Sequence, residues 1–296
     1  MKINITILIA LAVTCFSVLP VKAQKTSVPV PLILDTDIGP DYDDVGAMAV
    51  MHALADSGKV KILATMACNQ SRYIAPVLDV LNTYFNRPNI PVGVVRSRSV
   101  NISAWQKWDS LIVAKYPYSI KNNQQAQDAL SLYRKILAAQ PDKSVTIVTV
   151  GFLTNMADLL QSKPDQYSAL SGIDLVKQKV KHLVCMAGHF PEGKEFNADQ
   201  DPRSSKIVFD NWPTQIIFSG WEIGSTIHTG LPITQNNAIA NSPVKDVFAK
   251  AIPMDKQDAA GRMSWDETAV LIAIDGYEKY FDLTEGRFIC ADDGSN

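Results

Sequence analysis

The sequence predicts an α/β protein, an open and mostly parallel sheet with helices on both faces, and three observations lead there. Six short runs rich in Val, Ile and Leu recur along the chain. They lack polar alternation, as strands buried on both faces do. Segments with helical apolar spacing lie between most of them, and that alternation builds a parallel sheet covered by helices. Polar residues gather where the runs end, at the strand ends where open α/β sheets bind their ligands.

In chain order, the first strand is predicted over 31–35, ending in Asp35, and a helix over 43–55 follows it. Val45, Ala47, Met48, Val50, Met51 and Leu54 are the helix's apolar positions, and Asp43 and Asp44 open it where Asp is favoured. Strand 61–67 precedes helix 74–85, and strand 90–95 precedes helix 126–139. Strand 145–150 and helix 153–160 come next, then strand 182–187, helix 201–209 and strand 214–219, with a strand-like stretch at 287–290. Asp35 and Asp37 end the first run, Asn69 and Gln70 follow the second, Gly151 the fourth and His189 the fifth. Side chains distant in sequence are therefore expected on one edge of the sheet.

The densest chemistry is L-I-L-D-T-D-I-G-P-D-Y-D-D, which places Asp35, Asp37, Asp41, Asp43 and Asp44 within ten residues. So much like charge implies a cation, and oxygen-only donors favour calcium or magnesium over zinc. A solvated loop that caps a helix is the plainer reading, but a cap needs one Asp.

Residues 1–23 carry a basic start, an apolar stretch and V-K-A before Gln24, the pattern of a cleaved signal peptide. A lipoprotein signal at Cys15 is the lesser reading, because Thr14 before it fits poorly. The mature protein is expected to be exported, periplasmic or secreted, and to form a single domain over 24–296. No later stretch has the apolar length of a membrane span. Cleavage removes Lys2 and Lys22, leaving 26 basic against 30 acidic residues, a net charge of −4. That mild acidity provides no footprint for nucleic acid or an anionic membrane. Cys68, Cys185 and Cys290 remain, too few and too scattered for a disulfide framework or a metal site.

Five ordered segments carry a resemblance: D-T-D-I-G-P-D-Y-D-D at 35–44, A-C-N at 67–69, V-G-F-L-T-N at 150–155, E-F-N-A-D-Q-D-P at 195–202 and W-D-E-T-A at 265–269. In these the chain resembles the calcium-dependent, inosine-uridine-preferring nucleoside hydrolases, which cleave N-ribosidic bonds. The resemblance implies a deep pocket at the strand ends, a ribonucleoside or other small ribosyl substrate, and a homodimer or homotetramer. It implies Ca2+ held by Asp37, Asp44, the Val150 carbonyl and Asp266, with Asp43 taking a proton from the attacking water. Asn69 and Asn197 would then bond the ribose hydroxyls, and Glu195 the 5′ hydroxyl. Carboxylates suit the reaction, because breaking a ribosyl C–N bond builds positive charge on the sugar, as in glycoside hydrolysis.

The chain departs from the resemblance in three places. Pro40-Asp41-Tyr42 stands where one residue usually separates the Gly from the Asp pair, leaving Asp41 as a rival base or an added ligand. His189 stands at the position of a pocket Asn. Trp265 stands where purine-cleaving relatives have a His that protonates the leaving base; Trp has no such proton but can stack on a base. His189 and Trp265 are therefore expected in the pocket, with His228 a weaker candidate, whereas Trp105, Trp212 and Trp221 fit packing at least as well. The resemblance also implies a further short segment beyond the terminal A-D-D-G-S-N. The expected activity is hydrolysis of ribonucleosides to ribose and a nucleobase. Alternatives are hydrolysis of another ribosyl compound, or a ribose- or nucleoside-binding protein without turnover.

Overall fold

The computed structural model describes residues 28–296, and the expected signal peptide at 1–23 lies outside the described residues. The chain begins with β1 (Val30–Thr36), α1 (Asp43–Asp56), β2 (Val60–Ala67), α2 (Ile74–Tyr84), β3 (Val92–Val94), α3 (Trp108–Lys115) and β4 (Gln127–Asp128). It continues with α4 (Ala129–Ala139), β5 (Val145–Thr149), α5 (Thr154–Gln161), α6 (Gly172–Lys179), β6 (Val180–Met186), α7 (Phe196–Gln200), α8 (Pro202–Asn211) and β7 (Gln215–Ser219). The last part holds α9 (Trp221–Gly224), β8 (His228–Thr229), α10 (Leu231–Gln235), α11 (Pro243–Ala251), β9 (Arg262–Met263) and α12 (Trp265–Asp275).

Strands β1 to β7 form one parallel sheet in the order β4-β3-β2-β1-β5-β6-β7, and β8 and β9 pair separately and antiparallel. The order reverses at β1, which lies between β2 and β5, so the crevice beyond the ends of β1 and β5 is the sheet's switch point. Successive side chains of a strand face opposite ways, and the two cores divide accordingly. Leu32, Leu34, Val148, Val184 and Met186 pack into one core with α1, α2, α11 and α12. Ile33, Ile147, Leu183 and Cys185 pack into the other with α4, α5, α6 and α8. Burial on both faces explains why these strands read as unbroken apolar runs.

Of the boundaries that differ from the sequence expectation, three have a clear physical cause. Helix 126–139 begins only at Ala129, because Asp128 caps it by accepting from the Leu130 N–H at 3.2 Å, and Gln127 and Asp128 instead pair with β3. Val150 closes the run after β5 with its N–H donated to the Asp35 carbonyl at 2.9 Å. Residues 287–290 form no strand; Phe288 enters an aromatic cluster with Phe190, Phe209 and Phe218, which accounts for the apolar pattern there. Cys68, Cys185 and Cys290 are free and buried. Among the described residues no helix is long and apolar enough to cross a membrane.

Candidate active site

The turn leaving β1 carries Asp37 to the switch point, and α1 opens on Asp43 and Asp44 six residues further on. From the opposite end of the chain, α12 brings Asp266 in its first turn and packs along α1. Ligand atoms of Asp41, Asp44 and Asp266 lie within 4.8 Å of one another. Asp44 is fully buried; one of its oxygens accepts from the Thr36 hydroxyl, while Oδ2 has no hydrogen-bond partner. A buried, unpaired carboxylate oxygen is costly unless a cation completes it.

Glycine makes the crowding around Asp37 feasible. A Cβ on Gly151 would lie 2.5 Å from the Asp37 nitrogen and 2.8 Å from its Oδ1, so only glycine lets the turn after β5 approach so closely. Asp35, the first Asp of the motif, has a separate role. It is buried, and accepts from the Tyr133 hydroxyl at 2.7 Å and from Asn155 Nδ2 at 3.0 Å, which ties β1 to α4 and α5.

A cavity of about 210 Å³ opens here, and Asp37, Asp43, Val150, Glu195, Asn197, Trp265 and Asp266 line it as the sequence leads one to expect. Glu195 caps α7: Oε1 accepts from the Asn197 N–H at 2.8 Å and Oε2 from the Ala198 N–H at 3.1 Å. Asn197 Nδ2 donates to the Met186 carbonyl at 3.2 Å and to the Val150 carbonyl at 3.4 Å, tying together the ends of β5 and β6. The Trp265 indole N–H donates to the Trp221 carbonyl at 2.7 Å, and the two rings stand 6.1 Å apart.

The compact group joins Asp41 to Asp44 and Asp266, and Asp37 lines the same cavity. Two expectations are corrected. Asn69 is fully buried with its amide spent on backbone: it donates to the Asp37 and Ile102 carbonyls at 2.9 and 2.7 Å and accepts from the Ser71 and Ile102 N–H groups, both at 3.1 Å. It fixes the turn that carries Asp37 and leaves no donor for a ribose. His189 does not line the cavity; it stacks on Trp221, ring centroids 4.9 Å apart, with Nδ1 2.7 Å from Glu222 Oε1. His228 is exposed on β8.

The sequence reading missed Arg262, Trp221, Phe196 and Gln257, which also line the cavity. Arg262 donates through Nε and Nη2 to Asp43 Oδ1 at 3.0 and 2.9 Å, and through Nη2 to Asp41 Oδ2 at 2.5 Å. Its place three residues before W-D-E-T-A was the one signal available. Trp221 was visible in sequence as an aromatic after the sixth strand, yet nothing there distinguished it from a core residue.

Burial dominates the electrostatics. It raises Asp37, Asp44 and Asp266 well above the usual carboxylate range, and repulsion from the carboxylates around them, Asp41 and Asp43 among them, adds to it. Burial pushes Asp43 up to about 7 against the opposing pull of Arg262, and Glu195 up to about 7 against its backbone donors. Burial alone would lower Arg262, but the charges of Asp43 and Asp41 raise it. Such a site is built for positive charge, and its oxygen donors fit a hard divalent cation.

A parallel sheet with this carboxylate crevice at its switch point defines the α/β class of protein, with an acidic cluster at the place where such sheets bind their ligands. Residues 32–295 match the profile of the inosine-uridine preferring nucleoside hydrolases. The chain belongs to that family and is an N-glycosyl hydrolase acting on ribonucleosides.

The pyrimidine-specific ribonucleoside hydrolase RihA of Escherichia coli O81 (strain ED1a) is 27% identical over 238 residues, 75% of this chain and 70% of the relative. RihA of Shigella boydii serotype 4 (strain Sb227) is 28% identical over 240 residues, with the same shares. Among solved structures, the purine-preferring ribonucleoside hydrolase from Gardnerella vaginalis superposes with a TM-score of 0.61 at 18% identity, covering 83% of this chain and 80% of that one. A plant nucleoside hydrolase, PpNRh1, gives 0.60 at 21% identity over 83% and 79%. These structures share the fold.

Proposed function

We propose that the protein is an exported, calcium-dependent hydrolase that releases ribose and a nucleobase from ribonucleosides. The observation that carries this reading is the close group of Asp41 with the buried Asp44 and Asp266, with an unpaired oxygen on Asp44, beside Asp43. Asp44, Asp266, Asp37 and the Val150 carbonyl are the candidate ligands, and Ca2+ held there would orient water and the ribose diol. Export is supported by the signal-peptide pattern of residues 1–23.

In the reaction, water oxygen bonds C1′ while the C1′–N bond breaks and its electron pair leaves with the base. Asp43 receives the water proton. Positive charge on the ribosyl carbon is stabilised by the carboxylates around it and by Asn197 and Glu195 at the cavity wall. Trp221, Trp265 and Phe196 offer aromatic surface to the leaving base.

Hydrolysis of another ribosyl compound is favoured by the cavity's lining: Trp265, which has no proton to give near neutrality, lines it, whereas His189 stacks on Trp221 without lining it. The test is to incubate the protein and calcium with uridine, cytidine, inosine and p-nitrophenyl riboside and to measure free ribose. Ribose from the nucleosides supports the main reading, and ribose from the activated riboside alone supports the second. Binding without ribose release from any of the four contradicts both.

A further inference from the structure

We propose that Asp41 is a ligand of the site's cation and that Arg262 is the residue that positions it, the two forming a unit added by the longer Pro40-Asp41-Tyr42 loop. The proposal rests on reading the carboxylate group as a cation site. Asp41 shares the 4.8 Å group with Asp44 and Asp266, and Asp44 carries a buried oxygen, Oδ2, without a hydrogen-bond partner among the described residues. One oxygen of Asp41, Oδ2, is tied to Arg262 Nη2 at 2.5 Å. A carboxylate held in this way keeps its other oxygen for a cation.

Arg262 is itself fixed from every side. Its guanidinium lies 5.1 Å from the ring centroids of both Tyr42 and Trp265, and Nη1 stands 3.7 Å from Asp258 Oδ1. Asp258 in turn accepts from the Tyr42 hydroxyl at 2.5 Å. The loop that supplies Asp41 therefore also supplies, in Tyr42, one wall of the slot that holds its partner. Tyr42 is fully buried and Arg262 nearly so, whereas the Asp41 side chain is 37% exposed at the cavity. Among the described residues no other side-chain hydrogen bond or ion pair holds this carboxylate, so its aim depends on the arginine.

Charge makes the same point. Asp37, Asp41, Asp43, Asp44 and Asp266 together carry more negative charge than one divalent cation neutralises. Arg262 offsets part of the excess, engaging Asp43 with both Nε and Nη2 and Asp41 with Nη2 alone. The arrangement assigns ligand duty to Asp41 and proton-accepting duty to Asp43.

The experiment titrates the full chain, stripped with chelator, with calcium by calorimetry and with terbium by tryptophan-sensitised luminescence. Wild type, Asp41→Asn, Arg262→Met, Arg262→Lys and the Asp41→Asn/Arg262→Met double variant are compared after circular dichroism confirms folding. Asp41→Asn and Arg262→Met should each weaken calcium about tenfold or more, and Arg262→Lys less. The double variant should be no weaker than the worse single one, because Arg262 acts through Asp41. Unchanged affinity in Asp41→Asn overturns the proposal, as do losses that multiply in the double variant. A wild-type chain that binds neither ion overturns the cation reading beneath it, which separates the two failures.

Discussion

At the scale of the residue, Asp43 is held as a base is best held, buried at the cavity wall with Oδ1 fixed by Arg262 and Oδ2 3.4 Å from the Asp266 N–H. Without a cation, burial pushes it up to about 7, and a divalent cation beside it would lower it, keeping the carboxylate ionised to accept a proton near neutrality. Asp43→Asn should therefore leave calcium affinity within a few-fold while lowering kcat by about 10²-fold or more, as measured by ribose release and calorimetry on the same preparation. If Asp41→Asn lost turnover at intact calcium affinity and Asp43→Asn did not, the two roles would be exchanged. Residue identity was legible wherever a motif was dense: Asp43, Asp266, Glu195 and Asn197 line one cavity, and Asp44 groups with Asp266 beside it. Arg262 was not legible, because a single Arg in G-R-M-S has no local pattern and acquires its partners only when the chain's two ends meet.

At the scale of the element, the six apolar strands of the sheet were legible for a physical reason, whereas β4 was not and 287–290 forms no strand. Burial on both faces forces a continuous apolar run, and such runs stand out in sequence. Helix α12 escaped for the same reason. Its A-V-L-I-A-I stretch is buried nearly all round, so it lacks the amphipathic spacing that identified α2 and α4. Strands β8 and β9 have two residues each and no pattern to read, yet β9 carries Arg262.

The β5–α5 turn supplies a prediction at this scale. Gly151→Ala places a methyl against the Asp37 backbone, which cannot give way without moving β1. The variant should lose about 1–3 kcal/mol of stability in chemical denaturation, typical of overpacking, and should also weaken calcium. Loss of stability with unchanged calcium affinity would separate Asp37 from the metal.

At the scale of the whole molecule, topology gathers the charge. Two chain ends more than 200 residues apart in sequence meet where the strand order reverses, and the fold encloses carboxylates that the unfolded chain would leave in water. Without a cation this should make stability depend on pH in a definite sense. Asp43 rises from 3.8 to about 7 and Glu195 from 4.5 to about 7, so between those values the folded state binds more protons than the unfolded one. Stability must then fall as pH rises through that window. In chelator, the thermal midpoint should be higher at pH 5 than at pH 8, and added calcium should raise it more at pH 8. A calcium-free midpoint that climbs from pH 5 to pH 8 would contradict the burial of uncompensated carboxylates. The central claim, that one bound calcium ion makes this crevice a ribonucleoside hydrolase, is tested most directly by measuring ribose release from uridine and inosine in chelator-stripped protein while calcium is added back. The account predicts no release without metal and a return of activity that saturates at one calcium per chain; full turnover from protein shown by elemental analysis to hold no metal would contradict it.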